Sequence, residues 1–226
     1  MAVWTIKTLD QLVGNFVMGP ERYDPRRNHL QESPGANSNC VLGDLICLNR
    51  KTVTASATLG QCLVLDTSDA KEGIITNRKP TVEGALIGSQ KKVVAHRDVI
   101  ISRLRPYLRQ AAYVDEAIEP EGNATIVAST EFFVLRPLDE RSIAFLVPFL
   151  LCDAVQKVLS VSQEGGHHPR FDEQTLLSVP MPDEWLEQRD SISKDVERAA
   201  QLYRQQQGIL SKLVQRATSV FREVSP

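Results

Sequence analysis

From Asp183 to Val224 the chain reads DEWLEQRDSISKDVERAAQLYRQQQGILSKLVQRATSVFREV, a run without a proline. Apolar or small residues, with one Gln among them, recur at Ile192, Val196, Ala199, Tyr203, Gln206, Leu210, Leu213, Ala217 and Val220, in steps that alternate between four and three. That alternation is a heptad seam, the pattern of a stripe that faces another helix. A helix over 183–224 is roughly 60 Å long at the usual rise per residue, too long to rest on one small domain. Gly208 lies off the seam and costs about 1 kcal/mol against alanine, which weakens the helix locally without ending it. Gln206 is the long polar member of the seam, and such a position trades stability for register or partner choice. A helix lying on its own core would show a 3.6 period and a broader apolar face. The seam therefore predicts an intermolecular coiled coil and a homodimer.

Upstream of this helix the reading changes in kind. Val41 to Leu48, Cys62 to Leu65, Lys92 to Ala95, Asp98 to Ser102 and Thr130 to Leu135 are β-rich runs bounded by Gly, Asp, Asn or Pro. Thr8 to Val17 has the spacing of a capping box, Thr8 with Gln11, and predicts a short helix. Asp139 to Leu159 carries Ile143, Leu146, Val147, Leu150, Leu151, Val155 and Val158 at helical spacing, with Pro148 expected to kink or split it. The polar, turn-rich Ser162 to Pro169 and then Val179-Pro-Met-Pro182 stop regular structure. The expected fold is α+β: a mixed, mostly antiparallel, barrel-like β-rich domain over 1–182, followed by one long helix over 183–226.

With 226 residues, 42% of them hydrophobic, the chain can bury a real core. No stretch of about 18 apolar residues exists, and Met1 to Asp10 lacks the basic-then-apolar order of a signal peptide, so a cytoplasmic protein is expected. Cys40, Cys47, Cys62 and Cys152 stand in apolar surroundings without metal-ligand spacing, which predicts buried thiols. A net charge of −2 argues against bulk affinity for DNA, which depends on cations displacing counterions from phosphates. Local clustering reverses that. Arg78, Lys79, Lys91, Lys92, Arg97, Arg103, Arg105 and Arg109 face only Glu83 and Asp98 over 78–109, whereas 110–140 holds seven carboxylates and Arg136. One basic and one acidic face are expected, with solvated strand edges the plainer alternative.

No glycine-rich phosphate loop, nucleophile elbow or methyltransferase motif occurs. His167 and His168 are adjacent, cannot share one helix face and have no carboxylate-histidine pattern around them, so a polar loop contact is favoured over a metal or catalytic role. Four stretches remain: Asp98-Val-Ile-Ile-Ser-Arg-Leu-Arg-Pro-Tyr-Leu-Arg109; Ser129-Thr-Glu-Phe-Phe-Val-Leu-Arg-Pro137; Gly165-Gly-His-His-Pro-Arg-Phe171; and Val179-Pro-Met-Pro182 with Glu187, Gln188 and Ile192. In that order, ahead of a heptad helix, they resemble the specificity subunit of type I restriction-modification enzymes over nearly the whole chain. Members of that family carry two recognition domains and two long helices paired antiparallel as a spacer. Here there is one of each.

The resemblance implies a non-catalytic subunit that binds double-stranded DNA and positions an adenine methyltransferase, and, where restriction accompanies modification, a motor nuclease. S-adenosylmethionine would belong to the methyltransferase, and no cofactor or metal to this chain. The second half would come from another copy, giving a homodimer on an interrupted palindrome. The residues alone also allow an autonomous dimeric DNA-binding regulator or a coiled-coil protein-interaction adaptor. Base-reading residues vary with the target, so chemistry nominates them: Arg reads guanine, and Lys, Arg and backbone N–H groups hold phosphates. The candidates are Arg103, Arg105, Tyr107 and Arg109, with Lys91, Lys92 and Arg97; then His167, His168 and Arg170; then Arg26 and Arg27. Pro106 predicts that the strand from Asp98 ends in a loop.

Overall fold

The structure, a computed structural model, describes residues 6, 8, 38–76, 79–118, 124–162 and 169–223. Among these residues eleven strands lie in two sheets: β1 (Ile46–Leu48), β2 (Thr52–Val53), β3 (Gln61–Leu65), β4 (Ala70–Lys71), β5 (Gly73–Ile75), β6 (Val82–Glu83), β7 (Lys91–Val93), β8 (Val99–Ser102), β9 (Ala111–Tyr113), β10 (Thr125–Ser129) and β11 (Phe132–Pro137). One sheet runs β1-β11-β8-β9-β5-β4, the other β2-β7-β10-β3-β6. Among the described residues only the β10–β3 and β5–β9 pairings are parallel. Five helices follow: α1 (Leu146–Leu151), α2 (Asp153–Val161), α3 (Glu173–Leu177), α4 (Asp183–Glu187) and α5 (Arg189–Glu223). The fold is α+β, with antiparallel-rich sheets and one long C-terminal helix.

Strand period explains the layers. In β8, Val99 and Ile101 join the core beneath the helices, while Ile100 joins the core between the sheets. In β11, Phe133 and Leu135 take the helix side and Phe132 and Val134 the sheet side. Both strands are buried on two faces, which is why their sequences are unbroken apolar runs. Pairing β11 to β8 puts Phe132 opposite Ser102 and Leu135 opposite Val99, and Phe133 packs against Phe171 with ring centroids 5.6 Å apart.

Several expectations need correction. The run from Val41 begins as a 3-10 turn over Leu42–Asp44, because the Asp44 carboxylate accepts from the Val41 N–H at 2.8 Å; only Ile46–Leu48 is strand. Thr130 and Glu131 form the turn before β11, and β10, which pairs with β3 and β7, was not singled out in the sequence. The helix expected over 139–159 starts at Leu146 and breaks at Cys152, whose backbone is extended at φ −67°, ψ 152°. Pro148 lies in the first turn of α1, where its missing N–H has no helical partner to lose. Of the cysteines only Cys62 is buried; Cys47 points outward on the edge strand β1 and Cys152 is exposed at the α1–α2 break. The helix expected over 8–17 falls outside the described residues, apart from Thr8, which is in no helix or strand. Among the described residues no helix is long and apolar enough to cross a membrane, and no group of three or more His, Cys, Asp or Glu could hold a metal.

The long helix begins at Arg189 rather than Asp183, and Gln188 separates it from α4 with φ −91°, ψ 3°. At 35 residues it is about 52 Å long. Its first half lies on the domain. Ile192 and Val196 pack against the helix-side core, and Ser193 and Ala200 are buried. From Gly208 to Phe221 every residue is exposed, so roughly 20 Å of helix stands free of the domain.

Candidate nucleic-acid interface

The end of β8 is where the basic residues gather. The chain leaves the strand at Arg103, whose N–H donates to the Glu131 carbonyl at 2.9 Å and whose carbonyl accepts from the Phe171 N–H at 3.2 Å. Leu104 forms an isolated antiparallel bridge with Arg170, and the Arg105 N–H donates to the Pro169 carbonyl at 3.1 Å. Pro106–Leu108 then makes a 3-10 turn between Arg105 (φ 49°, ψ 67°) and Arg109 (φ 50°, ψ 42°), both left-handed. A left-handed residue with a side chain costs about 1–3 kcal/mol and persists only where its surroundings fix it. Here Pro106 is buried and the turn packs on α2.

Side chains complete the cluster. Glu131 accepts from Arg103 Nε at 3.0 Å and, through both oxygens, from Arg170 Nε at 2.9 Å and Nη2 at 2.7 Å. Hydrogen bonds from Arg170, then those and the charge of Arg103, outweigh burial and hold the Glu131 carboxyl down at about 2. Lys92 Nζ donates to the Phe132 carbonyl at 2.6 Å and sits 5.4 Å from the Phe133 ring centroid. Burial and then the charge of Arg103 push its ammonium below the usual lysine value. Arg109 pairs with Asp153 and donates to the Leu151 carbonyl at 3.2 Å. Arg105 has no ion-pair partner among the described residues, and Tyr107 and Leu108 are 61% and 48% exposed.

Of the nominated residues, Lys92, Arg103, Arg105, Tyr107, Arg109 and Arg170 thus lie around one end of β8 and the turn that leaves it. Lys91 is on β7 beside Lys92, with Nζ bound to Ser89 at 2.9 Å. Arg97 is at the other end of β8, where its Nη2 donates to the Glu140 carbonyl at 2.5 Å. Arg26, Arg27, His167 and His168 lie outside the described residues. The expected separation into a basic and an acidic face is incomplete. The β8–β11 pairing brings Glu131 to Arg103 and Asp98 to Arg136, so carboxylates of one stretch neutralise cations of the other.

A second feature has no counterpart in the sequence reading. Residues on the polar side of α5 fasten it to the domain. Arg189 donates to the Ser142 carbonyl at 3.1 Å and lies over the Phe145 ring, and Ser193 Oγ accepts from the Phe145 N–H at 3.2 Å. Glu197 accepts from Ser142 Oγ at 2.6 Å and Tyr113 Oη at 3.4 Å, and Arg204 clamps buried Asp115 at 2.8 and 3.3 Å. Burial, then the neighbouring Glu197, pushes the Tyr113 phenol up to about 12. A cleft of about 590 Å³ between the domain and α5 is lined by Arg97, Tyr113, Asp115, Ser142, Ser193 and Glu197, among others. The available signal was Ser193, Glu197, Ala200 and Arg204 in steps of four and three, parallel to the apolar seam.

No family model and no curated protein matches the chain. Solved structures do. One is a chain from a study of complex assembly and conformational transition of the type I R-M system: 22% identity, TM-score 0.55, covering 83% of this chain and 49% of that one. Another is the HsdS subunit from Thermoanaerobacter tengcongensis: 21% identity, TM-score 0.51, covering 80% of this chain and 46% of that one. The chain spans about half the length of the solved chains it matches, and at these identities the likeness is one of fold: this chain folds as about half of an HsdS subunit folds.

Proposed function

We propose that the chain is a non-catalytic DNA-specificity subunit of a type I restriction-modification system, with one target recognition domain over 1–182 and a spacer and dimerisation helix over 183–226. The observation that carries this reading is the shared fold with HsdS, in which a mixed β-rich domain bears a helix that runs on past its own surface. The cations around the end of β8 support it, because phosphate and guanine contacts both need guanidinium or ammonium groups on an accessible edge. Its role is to place a separate adenine methyltransferase, which holds S-adenosylmethionine, on the target. A motor nuclease joins where the system also restricts.

A second copy supplies the other recognition domain in this reading, through the exposed half of α5. At about 100° per residue, Ile209, Leu210, Leu213, Val214, Ala217, Val220 and Phe221 cover an arc of roughly 140°, and the exposed large side chains among them are 44–72% accessible. An apolar face of that breadth, on a stretch of helix that has left its own domain, is one that a partner covers rather than a solvated surface.

Mapping of methylated adenines across a host genome, with and without this gene, tests the function. A motif lost on deletion supports it. An unchanged methylation pattern together with site-specific binding favours an autonomous regulator, and absence of DNA affinity at low salt favours an adaptor; either result overturns the proposal.

A further inference from the structure

We propose that the Arg105–Arg109 turn is a wedge for duplex DNA: Tyr107 and Leu108 enter a base step from the minor groove while Arg105 and Arg109 hold the flanking phosphates. The inference rests on the DNA-recognition reading above and adds a mode of contact to it. Tyr107 and Leu108 stand side by side at the tip of the turn, 61% and 48% exposed. An aromatic next to an aliphatic residue at such a tip, each about half exposed while the base of the turn packs on α2, leaves apolar surface for a partner to bury.

The turn is stiff, as a wedge must be. Two left-handed arginines close it, the Leu108 N–H donates to the Arg105 carbonyl at 2.9 Å, and the Arg109 N–H donates to the Pro106 carbonyl at 2.7 Å. Its base is tied by the Arg105 N–H to the Pro169 carbonyl, by the Leu104–Arg170 bridge and by the Arg103–Glu131–Arg170 ion pairs. The strain is therefore borne by a framework that exists before any partner arrives, and inserting the tip orders little that is not already ordered.

Charge decides the occupant. Arg105 has no ion-pair partner among the described residues. Arg109 is half exposed and bonded to an Asp153 side chain that is 88% exposed, a pairing that phosphate can replace at little cost. Apolar wedges that part a base step occur with cationic neighbours on minor-groove proteins, and the kink they cause is compensated by added contact with the backbone. A protein partner for this tip would instead need carboxylates on both sides of an apolar pocket.

The test uses the full chain and a duplex selected by it from a random-sequence library, with 2-aminopurine placed in turn at each step. Insertion raises 2-aminopurine fluorescence at one step. Tyr107→Ala with Leu108→Ala abolishes that rise and weakens binding about 10-fold, a stacking-sized loss, while Tyr107→Phe restores the rise. Circular dichroism and melting of the double variant check that it folds. Binding of the selected duplex with no fluorescence change at any step overturns the wedge and leaves DNA recognition standing. So does a double variant that binds DNA normally but no longer retains the methyltransferase. Failure to select any duplex overturns the recognition reading itself.

Discussion

Glu131 stands between Arg103 and Arg170, and its carboxyl is held from an ordinary 4.5 down to about 2. A depressed carboxylate contributes stability that is fully present above its unfolded pKa and is lost as pH falls through the folded value. The window here runs from about pH 4.5 to 2. Glu131→Gln keeps the shape and removes the charge, leaving two guanidiniums facing a neutral amide. Both are more than a third exposed, so screening limits the loss at neutral pH to about 1 kcal/mol. The difference in melting temperature from the native chain should shrink to nothing as pH is lowered across that window; a constant difference would mean the ion pairs do not set it. The same variant should bind DNA more tightly at low salt, with a steeper salt dependence by about one contact, because a carboxylate no longer competes with phosphate. Both arginines were legible in the sequence as cations. Their tether was not, since Glu131 is 28 and 39 residues away from them and reaches them through the β8–β11 register, which no local spacing records.

At the scale of elements, legibility followed the length of the apolar run and its flanking turn formers rather than burial, since buried β9 and β10 were not singled out. The runs that became β3, β7, β8 and β11 were visible because their residues are apolar on both faces or bounded by turn formers. Short edge pieces such as β2, β4 and β6 expose half or more of their residues, so they carry no period to detect. The long helix was visible from its seam, but the seam serves two purposes. Ile192 and Val196 rest on the domain's own core, while Leu210, Leu213, Ala217 and Val220 are exposed. The rest of the helix's contact with the domain comes through polar side chains that a search for apolar spacing passes over. The exposed seam residues from Leu210 onward lie beyond the Arg204–Asp115 clamp, so a partner can pack on the free half without disturbing the fastened half. Leu210→Asp with Leu213→Asp should therefore leave circular dichroism and melting of the domain unchanged and give monomers by sedimentation equilibrium, since two charges would be desolvated in the interface. A dimer that survives the double change places the interface elsewhere.

At the scale of the whole molecule, the proposed homodimer would carry two copies related by a two-fold axis, which would read one half-site in inverted orientation. Antiparallel pairing of the free halves of α5, each roughly 20 Å long, would set the two domains of that dimer apart by about that length, which at 3.4 Å per base pair is about six unread base pairs. The methylation motif should be an interrupted palindrome with a gap near that size. A continuous or asymmetric motif in a complex with a single kind of specificity chain would rule out the antiparallel pair. Gly208 lies at the point where α5 leaves the domain, and a Cβ built there would meet nothing within 4 Å. It is the residue of lowest helix propensity in the element, weaker than alanine by about 1 kcal/mol, and it lies just past the Arg204–Asp115 clamp. Gly208→Ala should slow amide exchange at 209–212 about five-fold without altering the domain; no slowing would mean that the joint is held by something else. In the proposed complex that glycine would serve as a mechanical fuse: torque on the free arm would bend the helix at 208 before it could lever the domain off its DNA.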